Sequence, residues 1–312
     1  MKIAHVVNPV KVGSDSDLFV AQPVTFETMR RAKAIAAPLV DVELMSVQYS
    51  EDNDIVPDDF RTLPELETSV LDLGIFQRPR KLPILRHILD RAYQATDADY
   101  LIYTNVDIAL MPHFYLSVAN LLQENDGLVI NRRTISDSYQ SPDQIPLMWA
   151  EAGRTHGGFD CFVFRRDAYP KFELADTCIG TKGIGVIAYA NVVAHSRSFQ
   201  LLTEAHLTFH IGNDMSWTSS SLSDYMKHNY REVNAGAKAL RSSAGPLDAT
   251  TPHGRFLLDR YHKAHHYYLN ECLKLDNSDS ILAPRKNKRH QPNLKSMLGK
   301  IKRRIFLYHP SR

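Results

Sequence analysis

Apolar runs of strand length alternate with amphipathic stretches along most of this chain, and that alternation predicts an α/β fold. Ile3 to Val7 reads as a first strand leaving into Asn8-Pro9-Val10. Thr25, ahead of a stretch apolar at Phe26, Met29, Ala32 and Ala36, predicts a helix with Thr25 as its N-cap. Val40 to Val47 alternates as a second strand, and Val70 to Leu73 reads as a short one. Residues 50–70, rich in Asp and Glu with Pro57 and Pro64, read as a solvated surface loop. Pro83 suits the first turn of a helix whose apolar stripe is Ile84, Leu85, Ile88, Leu89 and Ala92. Tyr100 to Tyr103 is a buried strand of the parallel-sheet kind, followed by a helix over Pro112 to Leu122. Gly127 to Asn131 and Cys161 to Phe164 are two more short strands. Helices are predicted over Val186 to Ala194 and Asp224 to Leu240, with a strand-like segment between His206 and His210.

The 312 residues allow one large domain with appendages, and a 44% apolar, 23% charged composition permits a full core. A net charge of +2 makes no general electrostatic case for nucleic acid. Three cysteines without metal spacing fit a reducing compartment. The opening apolar run is too short for a secretory core and no stretch approaches a membrane span, so the expected location is cytoplasmic. Charge changes the picture only at the end: Arg285, Lys286, Lys288, Arg289, Lys295, Lys300, Lys302, Arg303 and Arg304 alternate with apolar residues. From Asn293 this is a basic amphipathic helix pattern, suited to an anionic membrane surface at the inner face or to a partner. Gly254 to Leu273 reads as a further helix with apolar and basic faces. The expected organisation is therefore 1–217 as the main domain, 218–283 as a helical accessory region and 284–312 as the basic tail.

Candidate chemistry gathers at strand ends. Asn105 and Asp107 come after the strand at Tyr100, two residues apart, so in an extended segment their oxygens share a side. Two hard oxygen donors suit Mn²⁺ or Mg²⁺ beside a phosphate, although an Asx residue there equally caps a turn. Arg80 and Lys81 precede a helix N-terminus, which favours anions. Arg132, with Arg133, stands at another strand end and suits bidentate contact with phosphate or carboxylate. His156-Gly157-Gly158-Phe159-Asp160 leads into the Cys161 strand, with glycines that allow close backbone approach.

An apolar strand ending in Asn105-Val106-Asp107, then a hydrophobic stretch and Met111-Pro112, resembles the DxD region of GT-A glycosyltransferases, with Asn105 in place of the first Asp. His210-Ile211-Gly212 with Trp217 after it resembles their C-terminal His-x-Gly region, at a spacing one residue different. The resemblance covers residues 1–217. It implies a mixed, mostly parallel sheet flanked by helices, with a helical C-terminal extension. It also implies Mn²⁺ or Mg²⁺ held by Asn105, Asp107 and His210, with Asp214 able to substitute. A nucleotide-sugar donor (a UDP- or GDP-sugar) would meet Asn8 and Pro9 after the first strand, and Arg80, Lys81 and Arg132 at its phosphates. Asp160, with His156 as the lesser candidate, would orient or deprotonate the hydroxyl of a glycan or lipid-linked acceptor. The alternatives are a sugar nucleotidyltransferase of the same fold, for which Asn8 to Gly13 is a poor phosphate loop, and a non-catalytic nucleotide-sugar binding module.

Overall fold

The computed structural model describes residues 1–213 and 222–245. In chain order the elements are β1 (Lys2–Val7), α1 (Leu18–Ala36), β2 (Asp41–Ser46), β3 (Arg61–Thr62), α2 (Leu85–Ala95), β4 (Tyr100–Thr104), β5 (Ala109–Leu110) and α3 (Phe114–Leu121). Next come β6 (Gly127–Ile130), β7 (Arg133–Ile135), α4 (Ile145–Ala150), β8 (Arg154–Thr155), β9 (Cys161–Arg165), α5 (Ile184–Ala194), β10 (Phe199–Leu202), β11 (Thr208–Ile211) and α6 (Ser223–Ala244).

The main sheet runs β10-β6-β9-β4-β1-β2-β3. Every neighbouring pair in it is parallel except those of β9, which lies antiparallel between β4 and β6. The fold is therefore mixed α/β with a mostly parallel sheet. The central strands are apolar on both faces: Leu101, Ile102, Leu128, Val129, Ile130 and Val163 are all fully buried. The reversed β9 positions the functional residues, because its first residue, Cys161, pairs with Thr104 at the end of β4 and with Ile130 at the end of β6. The loop entering β9 thus stands beside the segments leaving β4 and β6. A second small sheet runs β5-β11-β7-β8, and its strands β5 and β7 follow β4 and β6 directly in the chain.

Four expectations are corrected. The first helix starts at Leu18, where the Asp17 side chain accepts from the Leu18 amide, and Thr25 is buried within it. Pro23 lies in its second turn; the bond it forgoes is to the carbonyl of Phe19, a residue 52% exposed, where water can serve instead. Val70–Asp72 is a 3₁₀ turn instead of a strand, closed by a capping box in which Ser69 and Asp72 satisfy each other's amides. Pro83 stands before its helix, which begins at Leu85. Residues 50–70 are only partly a solvated loop, since Phe60, Leu63, Leu66 and Asp52 are buried and β3 pairs with β2.

The helix α6 packs on α5 with Tyr225, Val233, Ala237 and Leu240 buried. Asp214, Trp217, the predicted helix at 254–273 and the basic tail lie outside the described residues. No helix among the described residues is long and apolar enough to cross a membrane.

Candidate functional site

After β4 the chain turns out of the sheet through Asn105-Val106-Asp107 and re-enters at β5. Because β11 pairs antiparallel with β5, His210 is carried back to this turn. Its Nε2 lies 3.2 Å from Asp107 Oδ2, and its Nδ1 lies 2.9 Å from the Gly212 carbonyl. A carbonyl only accepts, so Nδ1 carries a proton; Nε2 then meets a carboxylate and must either be protonated too or share a cation with it. Burial pushes the His210 imidazole down, but the hydrogen bond and charge of Asp107 outweigh it and hold His210 above its ordinary value. Burial likewise works to raise Asp107, and the hydrogen bond and charge of His210, then the charge of Arg132, hold its carboxyl below the usual range. Asp107 Oδ1 is buried with no hydrogen-bond partner among the described residues.

This is the chemistry a divalent cation fits: a carboxylate oxygen and an imidazole nitrogen facing one another, the second ring nitrogen fixed by a carbonyl. Asn105 is less free, since its Oδ1 accepts from the Tyr103 hydroxyl at 3.0 Å. Among the described residues no group of three His, Cys, Asp or Glu side chains converges as a metal cluster. Asp107 and His210 are thus the two strong donors in view.

Arg132 and Asp160 are brought together across the β6–β9 pairing. Arg132 Nη1 donates to Asp160 Oδ1 at 2.9 Å, with each side chain 8% exposed. Arg132 Nε, Asp160 Oδ2 and the Oδ1 of neighbouring Asn131 are buried without hydrogen-bond partners among the described residues. Arg133, by contrast, is spent on the carbonyls of Ala152 and Gly153. The His156 segment is fixed by its backbone, with its amide donating to Arg132 O at 3.2 Å and its carbonyl accepting from Asn131 Nδ2 at 3.1 Å. A Cβ at Gly158 would come within 2.8 Å of His156 Nε2 and 3.7 Å of Asp160 Oδ1, so this glycine lets ring and carboxylate share one loop.

The remaining nominated residues stand apart. Asn8 is buried and donates to the Val47 carbonyl, tying the ends of β1 and β2, while Pro9 is buried beside it. Lys81 pairs with Glu51 and lies 3.9 Å over the Tyr49 ring. The Arg80 amide donates to the Tyr225 hydroxyl at 2.6 Å and its side chain is exposed. Among the described residues, no hydrogen bond or ion pair joins Arg80 or Lys81 to Asp107, His210 or Asp160. A cavity of about 610 Å³ opens between Val10–Val12, α1 and the turn at Pro142, and Asp107, His210 and Asp160 do not line it.

Sequence reasoning passed over Asn131 as a site residue and missed the Gly212 carbonyl. Asn131 carried a signal, a polar residue closing an apolar strand at the same edge as Asn105. The Gly212 carbonyl carried none, since a main-chain acceptor has no mark in the sequence.

No protein-family profile matches the chain, and no curated protein sequence matches it. Among solved structures, the chain is similar to residues 1–349 of S. aureus TarS in complex with UDP-GlcNAc, with 8% identity, 87% of this chain and 82% of that one covered, and a TM-score of 0.45. It is also similar to glucosyl-3-phosphoglycerate synthase from Mycobacterium tuberculosis in complex with Mg²⁺ and UDP, with 14% identity, 80% and 81% covered, and a TM-score of 0.41.

Proposed function

We propose that this protein is a metal-dependent glycosyltransferase of the GT-A class, moving a sugar from a UDP- or GDP-sugar to a hydroxyl of a glycan or lipid-linked acceptor. The observation that carries the reading is the meeting of Asp107 and His210, distant in sequence, at 3.2 Å beside the carboxyl ends of β4 and β6. In open α/β sheets that edge is where ligands bind. Asp107 and His210 would hold Mn²⁺ or Mg²⁺, with Asn105 next to them in the same turn. When bound, such a cation supplies Lewis-acid stabilisation of a departing nucleoside diphosphate. Asp160 stands at the same edge with one carboxylate oxygen that has no partner among the described residues and would serve an acceptor hydroxyl, and His156 stands across Gly158 from it.

The test is turnover of a panel of UDP- and GDP-sugars with Mn²⁺, by the parent and by Asp107→Ala. We expect nucleoside diphosphate release by the parent that chelation abolishes, and a loss of at least about 100-fold in the variant. Equal, metal-independent rates in both proteins would overturn the reading. Pyrophosphate release from a nucleoside triphosphate and a sugar phosphate would indicate the nucleotidyltransferase instead.

A further inference from the structure

The chain between Val70 and Leu82 forms a loop that is closed at its base and apolar at its tip. At the base, the Val70 amide donates to the Leu82 carbonyl at 3.0 Å. Ahead of the tip, Ser69 and Asp72 cap each other. Behind it, Phe76 is buried, stacked on Tyr225 at 4.2 Å and edge-on to His228 at 5.9 Å. The Gln77 amide donates to Asp224 Oδ2 at 2.7 Å, and the Tyr225 hydroxyl holds the Arg78 carbonyl and the Arg80 amide. Between these anchors stand Leu73, 43% exposed, and Ile75, the most exposed large apolar side chain among the described residues. A lone exposed apolar residue is ordinary. A loop fastened on both sides so that an isoleucine stands wholly in water is not, because ordering costs entropy and water gives the side chain nothing in return.

The flanks of the tip state what it meets. Arg78 and Arg80 follow it, both exposed, and neither guanidinium has an ion pair or hydrogen bond among the described residues. Lys81, by contrast, is paired with Glu51. The acids nearby are engaged as well, Asp72 by the Ser69 amide and Asp224 by the Gln77 amide. Two unpaired guanidinium groups beside a protruding isoleucine match a surface with anionic phosphates at its face and hydrocarbon just below. Arginine is also the side chain best shaped for phosphate oxygens. A protein partner fits less well, since a stable interface covers about 800 Å² on each side and this tip offers only Leu73 and Ile75.

We propose that the Leu73–Ile75 tip enters the interface of an anionic lipid bilayer while Arg78 and Arg80 bind the lipid phosphates. The insertion is shallow, because Phe76 and Gln77 stay fastened to the body of the protein. The contact is separate from the basic amphipathic pattern that follows Asn293 in the sequence. It goes beyond the glycosyltransferase reading and does not rest on it. Salt weakens the share of the two arginines and leaves that of Ile75 in place.

Vesicle co-sedimentation and tryptophan fluorescence on the full chain test this. The vesicles are phosphatidylcholine alone and an equal mixture of phosphatidylcholine and phosphatidylglycerol. The proteins are the parent, Ile75→Ser, Arg78→Ser/Arg80→Ser, Ile75→Trp and Leu39→Trp, the last a control at an apolar side chain 78% exposed just after α1. Every replaced side chain is exposed, so each variant should keep the parent's Tm. We expect the parent to bind the mixed vesicles and not phosphatidylcholine alone. Ile75→Ser should bind them about 10-fold more weakly and the double arginine variant about 10- to 30-fold more weakly. On the mixed vesicles the emission of Ile75→Trp, relative to the parent, should shift to the blue while that of Leu39→Trp does not. Equal binding by the parent and both loop variants, a parent that binds neither vesicle, or a shift shared by Leu39→Trp would overturn the proposal. So would a parent that self-associates in ultracentrifugation beside an Ile75→Ser protein that does not, since the tip would then meet protein.

Discussion

Two pairings at the residue scale decide what the carboxyl edge can do, and they differ in how visible they are along the chain. Asp107 and His210 could be paired from the sequence only through the resemblance of Asn105-Val106-Asp107 and His210-Ile211-Gly212 to two regions of GT-A glycosyltransferases. Arg132 and Asp160 could be named but not joined, because their contact depends on β9 running antiparallel beside β6, which no local pattern encodes. The consequence is measurable without any ligand. Removing Arg132 alone leaves the Asp160 carboxylate buried and uncompensated, a situation that costs about 3–5 kcal/mol, whereas removing both charges with apolar groups of similar volume is close to neutral. Arg132→Met should therefore lower the urea unfolding free energy by that amount, and Arg132→Met/Asp160→Leu should recover most of it. A single variant that loses less than about 1 kcal/mol would mean the pair is solvated, as exposed pairs are.

At the scale of elements, most strands of the main sheet were readable, and of the small second sheet only β11 was. β1, β4, β6 and β9 show as apolar runs because both faces of the main sheet are covered. The strands β5, β7 and β8 have two or three residues each, too few to show a period, and they exist through pairing alone. The early start of α1 was hidden by Pro23, which reads as a helix boundary but lies inside a helix. His5 shows how three elements are fastened behind the site. It is fully buried on β1, with Nδ1 2.9 Å from the Tyr115 hydroxyl on α3 and Nε2 2.9 Å from Thr104 Oγ1 on β4, the residue before Asn105. Burial pushes its pKa down to about 3 from 6.5. Between those two values the unfolded chain binds a proton that the folded chain refuses. Stability from this group is therefore full above pH 6.5 and falls on the order of 1 kcal/mol per unit as pH drops toward 3. His5→Gln keeps a donor and an acceptor but cannot titrate. Between pH 7 and pH 4.5 the parent should lose more unfolding free energy than the variant, by 1–3 kcal/mol as an order of magnitude. Equal losses would show that His5 is hydrated.

At the scale of the whole molecule, α6 ties residues beyond the expected 217 boundary to the core, and it does so mostly through side chains gripping main chain. Tyr225 stacks on Phe76 at 4.2 Å and its hydroxyl donates to the Arg78 carbonyl while accepting from the Arg80 amide. Asn229 accepts from the Cys178 amide and donates to the Cys178 and Lys182 carbonyls. Gly236 lets the helix approach: a Cβ there would lie 2.6 Å from the Glu173 carbonyl oxygen and 3.2 Å from Ile187 Cδ1. Ile187 can shift, but the Glu173 backbone cannot do so cheaply, since its amide donates to Asn191 Oδ1 at 2.6 Å and its carbonyl accepts from Asn191 Nδ2 at 3.2 Å. Two effects compete in Gly236→Ala. Alanine gains up to about 1 kcal/mol of helix propensity, against about 1–3 kcal/mol for overpacking a fixed contact. Because the obstructing atom is pinned main chain, overpacking should win, with a net loss of about 1–2 kcal/mol and a fall in Tm of about 2–4 °C for each kcal/mol. Asn191→Ala frees the obstructing strap, so the double variant should lose less than the sum of the two singles. Strict additivity, or a Gly236→Ala protein more stable than its parent, would mean that α6 does not press on this strap.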